Sequence, residues 1–197
     1  MRRFVVVGTS GSGKTTFAAA LAKRLGVPHV ELDALHWEPN WVEAAPQVMR
    51  ARVAAAVAAD GWVCDGNYSL VRDLVWPRAD ALVWLDYPMG LTFWRVLSRT
   101  LRRAWRREVL WAGNRESLAK AFLSGDSILL WMLTTWRRNR CKYRAALRRP
   151  EYRHLRVYRF RRPRDAEAWL NALPPAGGGH SPFSNSSTAA TFSSSVG

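Results

Sequence analysis

The chain has 197 residues, a formal net charge of +15 and two cysteines. This length favours one globular domain with its own core, and an apolar content of 48% excludes a chain that is disordered throughout. No apolar run is long enough to cross a bilayer, and the stretch after Arg2 and Arg3 is too short for a secretory signal. We therefore expect a cytoplasmic protein without a membrane span. Cys64 and Cys141 fit neither a disulfide framework nor a CxxC motif, and we expect both to be single buried thiols.

The charge is distributed unevenly along the chain. Residues 1–90 carry nine basic and nine acidic side chains, whereas residues 91–173 carry twenty-one basic and six acidic ones. Residues 174–197 carry no charged side chain and are rich in Pro, Gly, Ser, Thr and Ala, which predicts a disordered tail. The sequence therefore predicts one domain at residues 1–173, with its basic excess in the second half.

Short apolar runs alternate with segments of helical period. One predicted helix begins in a glycine-rich turn and ends at Leu25 before Gly26, and another runs from about Pro46 to Asp60. Residues 91–149 are helical in pattern, without a predicted strand. This order predicts a three-layer α/β domain with a five-stranded, mainly parallel sheet and a helical insertion after the fourth strand. The predicted strands cover residues 3–7, 29–32, 62–65, 81–86 and 155–160.

The most specific signal runs from Gly8 to Thr15, a complete G-x-x-x-x-G-K-S/T pattern between a strand and a helix. Glycines let successive backbone N–H groups turn inward around a phosphate, and the helix N-terminus adds positive potential. In such a loop Lys14 reaches the β- and γ-phosphates, and the Thr15 hydroxyl ligates Mg²⁺. The pattern predicts a P-loop (Walker A) site for a nucleotide with Mg²⁺. Its candidate binding residues are Gly8, Gly11, Ser12, Gly13, Lys14, Thr15 and Thr16.

Three aspartates stand at predicted strand ends, namely Asp33, Asp65 and Asp86. The carboxyl ends of parallel strands are where open α/β sheets bind their ligands. A carboxylate at such a position either holds the water ligands of Mg²⁺ or forms a turn or a helix cap. Both interpretations stay open for each aspartate taken alone.

Several further segments resemble the nucleoside-monophosphate-kinase group of P-loop proteins, in particular adenylate-kinase-like proteins often labelled topology modulation proteins. The resemblance covers nearly all of residues 3–173. It implies a P-loop NTPase fold, the cofactors ATP and Mg²⁺, and phosphoryl transfer to a small nucleotide or another small-molecule acceptor. Besides the P-loop, the matching segments are LDALHW at 32–37, PNW at 39–41, WVCDGNY at 62–68, and residues 79–88, 95–99, 113–116 and 157–163.

The resemblance also implies roles for individual residues. Asp65 matches the aspartate that holds magnesium water in adenylate kinases, and Asp33 lies where shikimate-kinase-like relatives bind the acceptor. Arg95 and Arg99 resemble the paired arginines that begin the lid, one stacking on adenine and the other contacting phosphates. Arg162 lies where the loop after the last strand closes over the base. The chain departs from adenylate kinases after the Asp-Gly pair and in the AMP-site signature, so the resemblance does not extend to AMP as the acceptor.

Aromatic and polar residues follow the second and third predicted strands. His36, Trp37, Trp41, Asn67 and Tyr68 lie just beyond these strand ends. The tryptophans either fill the core or line a pocket that stacks a flat acceptor. His36 as a general base is the weaker interpretation, because phosphoryl transfer depends mainly on positioning and charge.

Arginines recur at spacings of three and four in the insertion. Such a basic helix face is solvated, supplies lid charges to a transferred phosphoryl group, or binds a nucleic acid or an anionic membrane surface. Two functions therefore stay open: an ATP-dependent small-molecule kinase, and a nucleotide-binding regulator or ATPase associated with nucleic acid. The two runs are Arg95, Arg99, Arg102, Arg103, Arg106 and Arg107, then Arg137, Arg138, Arg140, Arg144, Arg148 and Arg149.

Overall fold

The computed structural model describes the backbone of residues 1–106 and 128–174, and the side chains of residues 1–99, 101, 102 and 135–174. Five strands form one sheet in the order β2-β5-β1-β6-β7, and every neighbouring pair in it is parallel. The other two strands, β3 and β4, form a small antiparallel hairpin. The strands are β1 (Arg3–Gly8), β2 (His29–Glu31), β3 (Trp37–Glu38), β4 (Val42–Glu43), β5 (Trp62–Asp65), β6 (Ala81–Leu85) and β7 (Arg156–Phe160).

Helices connect the strands of the main sheet. They are α1 (Lys14–Leu25), α2 (Leu32–His36), α3 (Pro46–Ala56), α4 (Arg72–Val75), α5 (Met89–Arg106), α6 (Ile128–Leu147) and α7 (Pro163–Ala172). Short 3-10 turns occupy Pro39–Trp41, Ser69–Val71, Trp76–Arg78 and Pro150–Tyr152. Within the described part of the chain, no helix has the length and apolar character needed to cross a membrane. The middle of the predicted insertion and residues 175–197 of the predicted tail lie outside the described residues.

Alternating side chains divide the core into two layers, one on each face of the sheet. Because successive residues of a strand point to opposite faces, each apolar strand contributes to both layers. One layer joins the sheet to α1 and α7 through Phe4, Val6, Val63, Val83, Phe17, Leu21 and Ala166. The other joins it to α3, α4 and α6 through Val5, Val7, Trp62, Trp84, Met49, Val53, Val75 and Tyr143. The predicted three-layer fold with a five-stranded parallel sheet is confirmed.

The chain departs from the sequence predictions at two places. Strand β2 ends at Glu31, so Asp33 lies in the first turn of α2 and not at a strand end. Cys64 is buried as expected, but Cys141 is exposed. The expectation for Cys141 was wrong because α6 turns Tyr143 towards the core, and a residue two positions away lies on the opposite side of a helix.

Asp80 fixes the start of β1, the strand that leads into the P-loop. Its Oδ2 atom accepts hydrogen bonds from the backbone N–H groups of Arg2, at 2.7 Å, and Arg3, at 3.0 Å. Burial by itself would raise the pKa of Asp80, but these hydrogen bonds outweigh it and hold the pKa below its usual value. The ionised carboxylate therefore stabilises the register between β1 and the strand that follows Asp80.

Candidate functional site

The P-loop lies at the carboxyl end of β1, the central strand of the sheet. Gly13 precedes α1 in a left-handed conformation, with φ of 81°. No side chain caps the N-terminus of this helix, and its first turn contains no acidic residue. The first N–H groups of α1 are therefore available to an anion. Gly11 also has a positive φ, of 78°, and a Cβ atom there would lie 2.3 Å from the carbonyl oxygen of Thr92 on α5. Only glycine fits between the loop and α5 at this position.

Two polar side chains of the loop have no acceptor in the described part of the chain. The Ser12 hydroxyl is buried without a hydrogen-bond partner there. The Lys14 ammonium forms no ion pair with any described acidic side chain. An unpaired buried hydroxyl and an unpaired ammonium beside a helix N-terminus are the groups that a bound phosphate would satisfy. Asn67 holds the start of the loop, because its Nδ2 donates to the carbonyl oxygen of Gly8 at 2.7 Å.

Thr15 and Asp65 form the candidate metal site. The Thr15 hydroxyl donates to Oδ2 of Asp65 at 2.7 Å, and Asp65 is only 1% exposed. Because the hydroxyl proton is engaged, the lone pairs of the Thr15 oxygen face away from this bond and can bind a cation. A hydroxyl and a carboxylate are the hard oxygen ligands that Mg²⁺ prefers, so the pair fits this ion. The described residues contain no cluster of three or more His, Cys, Asp or Glu side chains for a metal, so the remaining ligands would be phosphate oxygens and water.

His29 joins this pair, and the sequence analysis did not identify it. Its Nε2 lies 3.0 Å from Oδ1 of Asp65. The hydrogen bond with Asp65 is the main cause of a raised pKa at His29, and burial of the ring opposes it. His29 stands two residues before the β2 residue that pairs with Asp65, so both side chains lie on one face of the sheet. Only the pairing of β2 with β5 gives this contact, and the linear sequence carries no motif for it.

Asp86 occupies a different environment from Asp65. It lies just after β6 with its side chain 1% exposed, and it forms ion pairs with Arg140 of α6 and Arg159 of β7. The Arg140 Nε to Oδ1 distance is 2.8 Å, and the Arg159 Nε donates to Oδ2 at 2.9 Å. Each guanidinium also lies 4.5 Å from the centroid of a tryptophan ring, Trp136 for Arg140 and Trp84 for Arg159. Asp86 therefore ties α6 to the sheet and has a structural environment.

A cavity of about 640 Å³ opens beside the P-loop, between α5 and α7. Arg95 lies near Gly13 and has its guanidinium carbon 5.8 Å from the ring centroid of Tyr87. Burial raises the pKa of Tyr87 to about 12, so this phenol stays neutral and its ring offers an apolar wall. Arg162 is exposed just before α7, and its neighbour Pro163 lines the cavity instead. The predicted residues at the cavity wall are Gly11, Ser12, Gly13, Thr16, Arg95, Arg99 and Arg102.

Asp33 and Tyr68 form a second polar pair, on the far side of β5 from the P-loop. The Tyr68 hydroxyl donates to Oδ1 of Asp33 at 2.7 Å. Burial raises the pKa of Tyr68, and the negative charge of Asp33 raises it further, so Tyr68 remains a hydrogen-bond donor. The pair lies near the carboxyl ends of β2 and β5, because α2 follows β2 directly and Tyr68 follows β5 by three residues.

The aromatic residues near Asp33 pack against one another around the β3–β4 hairpin. The buried ring of His36 lies 4.7 Å from that of Trp37 and 4.6 Å from that of Tyr68, and Trp37 lies 5.4 Å from Trp41. Both tryptophans are partly exposed and belong to neither core layer. At the tip of the hairpin, Asn40 and Trp41 have positive φ angles of 63° and 60°. Such backbone strain is typical of ligand-binding segments.

The remaining arginines of the two runs are either exposed or outside the part of the structure with described side chains. The side chains of Arg103, Arg106 and Arg107 are not among those described. Arg137, Arg138, Arg144, Arg148 and Arg149 are exposed on or just after α6. The structure therefore brings only part of each run to a site: Arg95, Arg99 and Arg102 to the cavity, and Arg140 to Asp86.

Comparisons with known proteins find similarity to parts of this chain. A model of the ATPase family associated with various cellular activities (AAA) matches residues 4–63, which contain the P-loop. The uncharacterized protein YqaC of Bacillus subtilis (strain 168) is 26% identical over 125 residues, 62% of this chain and 70% of that protein. A probable gluconokinase of Schizosaccharomyces pombe (strain 972 / ATCC 24843) is 51% identical over 37 residues, 19% of each chain.

Solved structures resemble this chain at low identity and with TM-scores below 0.5. A shikimate kinase from Bacteroides thetaiotaomicron is 16% identical with a TM-score of 0.48, covering 87% of this chain and 96% of the other. A gluconokinase from Sinorhizobium meliloti 1021 is 22% identical with a TM-score of 0.47, covering 87% and 93%. The five-stranded parallel sheet, with the P-loop at the end of its central strand, is a P-loop NTPase fold. None of the proteins named above carries the name topology modulation protein.

Proposed function

We propose that this protein is a Mg²⁺-dependent kinase that transfers the γ-phosphoryl group of ATP to a hydroxyl of a small acceptor. The strand order carries the proposal, because β5 lies between β1 and β2. The P-loop follows β1, Asp65 ends β5, and Asp33 follows β2. A phosphate donor site, a metal site and a candidate acceptor site thus follow one another along one edge of the sheet, which is the order that direct transfer requires.

Each group has a role that its chemistry supports. The N–H groups of the loop, the Ser12 hydroxyl and Lys14 would hold the β- and γ-phosphates. Thr15 and Asp65 would hold Mg²⁺, which supplies charge neutralisation on the phosphate oxygens when it is bound. The cavity beside the loop would take the base and ribose, with Arg95 over the base.

Asp33 and Arg99 complete the proposed reaction. Asp33 would accept a hydrogen bond from the acceptor hydroxyl, while Tyr68 fixes the orientation of its carboxylate. As the new bond forms between the acceptor oxygen and the γ-phosphorus, the bond to the ADP oxygen breaks and the hydroxyl proton passes to Asp33. Arg99 supplies positive charge to the transferred group. The probable gluconokinase that is 51% identical to this chain over 37 residues supports a hydroxylated acceptor.

The arginines support a kinase better than an ATPase associated with nucleic acid. Three arginines of the first run line the cavity beside the P-loop, and Arg140 of the second run is paired with Asp86. The proposed roles of Arg95 and Arg99, and the ion pair of Arg140, need no polyanion.

An acceptor screen tests the proposal. Purified protein is incubated with ATP and Mg²⁺, and ADP release is measured with nucleosides, nucleoside monophosphates, sugar acids and polyols added one at a time. At least one acceptor should raise turnover above the acceptor-free rate, and Lys14→Ala should abolish that turnover without changing the melting temperature of the free protein. Arg78→Ala, an exposed substitution outside the site, is the control.

Two results would refute the proposal. If the protein binds no ATP in the presence of Mg²⁺, the nucleotide site is wrong. If duplex DNA stimulates ATP turnover with a steep dependence on salt while every acceptor leaves it unchanged, the protein is an ATPase linked to nucleic acid.

A further inference from the structure

His29 is a histidine that contacts the candidate metal site from a neighbouring strand. Its side chain is 22% exposed, whereas that of Asp65, at the end of the next strand, is 1% exposed. The ring is therefore partly exposed, whereas the carboxylate that it contacts is nearly inaccessible. His29 has no role in the proposed phosphoryl transfer.

The two oxygens of Asp65 have different partners. Oδ2 accepts from the Thr15 hydroxyl at 2.7 Å, and Oδ1 lies 3.0 Å from His29 Nε2. An ionised carboxylate can only accept hydrogen bonds, so the Nε2 atom of His29 must carry the donated proton. Because both oxygens of Asp65 are hydrogen-bonded, the plane of its carboxylate is fixed. Rotation about the Cβ–Cγ bond of Asp65 would break both hydrogen bonds.

We propose that His29 is a positioning residue that holds Asp65 in the orientation needed to bind Mg²⁺ with a nucleotide. This inference rests on the proposed function. Donors that orient a carboxylate near a metal commonly change metal affinity by about 10- to 100-fold when they are removed. The competing explanation is a purely structural contact between β2 and β5, which would change stability and leave the Mg²⁺ requirement unaltered.

Two substitutions separate these explanations. His29→Leu keeps much of the bulk of the ring and removes the donor, whereas His29→Gln keeps a side-chain N–H that can reach the carboxylate. Because His29 is partly exposed, both variants should fold, and urea unfolding verifies this. The matched control is His154→Leu, which removes an exposed histidine on the turn before β7.

The measurement is the affinity for a non-hydrolysable ATP analogue by calorimetry, over a series of Mg²⁺ concentrations and in EDTA. We expect His29→Leu to raise the Mg²⁺ concentration for half-maximal binding about ten-fold, and to leave the affinity in EDTA unchanged. His29→Gln should restore most of the wild-type Mg²⁺ dependence. His154→Leu should match the wild-type protein throughout.

Three results would overturn the inference while leaving the kinase proposal intact. They are a wild-type Mg²⁺ dependence in His29→Leu, an equal loss of affinity with and without Mg²⁺, and a His29→Gln variant as defective as His29→Leu. A wild-type protein that binds no analogue at any Mg²⁺ concentration would instead refute the proposed function, and the inference with it.

Discussion

Asp65 ends β5 and Asp86 follows β6, the two strands that flank β1, and both side chains are nearly inaccessible to solvent. Their partners differ: Asp65 bonds to one hydroxyl and one imidazole, whereas Asp86 pairs with two guanidinium groups. Replacing either with asparagine keeps the shape and removes the charge. We expect Asp65→Asn mainly to raise the Mg²⁺ requirement, and Asp86→Asn mainly to lower the free energy of unfolding.

The contacts give the size of each effect. A charge pair about 4 Å apart gains about 4 kcal/mol at an effective dielectric constant of roughly 20, and Asp86 has two such pairs. The side chain of Arg140 is 27% exposed, so water hydrates part of its guanidinium when the charge of Asp86 is removed, and the loss is smaller than the sum of the two pairs. Breaking a buried pair therefore costs about 3–5 kcal/mol in Asp86→Asn. Asparagine keeps one acceptor oxygen, so Asp65→Asn loses one hydrogen bond to a charged group, which costs roughly 1.5–3 kcal/mol.

Urea unfolding without ligand and Mg²⁺ titration of nucleotide binding measure the two effects separately. Asp60→Asn, an exposed substitution after α3, is the control for both. We expect Asp65→Asn to need at least about ten times more Mg²⁺. If Asp86→Asn raised the Mg²⁺ requirement more than Asp65→Asn, we would have chosen the wrong metal aspartate. If Asp86→Asn lost no more stability than Asp65→Asn, the reasoning about the buried ion pairs would be wrong.

Three further predictions concern the loop, the first strand and the cavity. Gly11→Ala should abolish nucleotide binding, because its Cβ atom would lie 2.3 Å from a backbone oxygen at a positive φ, and the binding assay above measures it. Asp80→Ala should lower the free energy of unfolding by about 1–3 kcal/mol at pH 7. Since the pKa of Asp80 is lowered in the folded protein, this contribution is present above pH ~4 and lost as the pH falls through the folded pKa, which urea unfolding at several pH values measures. Arg99→Ala should lower kcat at least ~100-fold, whereas Arg102→Ala should be nearly silent.

Each of these predictions has an outcome that contradicts it. Nucleotide binding at wild-type affinity by Gly11→Ala would show that the loop tolerates a side chain against α5. If the difference in free energy of unfolding between wild type and Asp80→Ala grew towards low pH, the pKa of Asp80 would be raised by folding and not lowered. Equal, small losses of turnover at Arg99 and Arg102, together with an equal loss of affinity for DNA, would favour a polyanion surface.

The sequence predicted the main sheet well because its signals are local. Buried parallel strands are continuous apolar runs, and the P-loop pattern fixes the junction of β1 and α1. Helix α1 ends at Leu25 because Gly26 takes the left-handed conformation, with φ of 63°, that glycine adopts most readily. The β3–β4 hairpin was missed because its strands have two residues each, too few for any alternation to be visible.

The candidate site was predicted only where a motif lies within one segment. The P-loop residues, Asp65 and the cavity arginines follow from local patterns, although their roles stay predictions. The contacts of His29 with Asp65 and of Arg159 with Asp86 join residues 36 and 73 positions apart. Such contacts depend on which strands are neighbours in the sheet, and the local sequence of a single segment does not determine the strand order.

Helix α5 determines which arginines can serve the phosphate site. Its residues Thr92 and Val96 lie against Gly11, so the first half of the helix contacts the P-loop. Each residue advances about 1.5 Å along a helix, so Arg99 lies roughly 6 Å beyond Arg95 and Arg102 about 4.5 Å further still. An arginine close to Val96 therefore starts nearer to a phosphate in the loop than one further along the helix axis does. The expected contrast between Arg99 and Arg102 is therefore a consequence of where α5 contacts the P-loop. The helical spacing that suggests a uniform basic face also places its arginines at unequal distances from the transferred phosphoryl group.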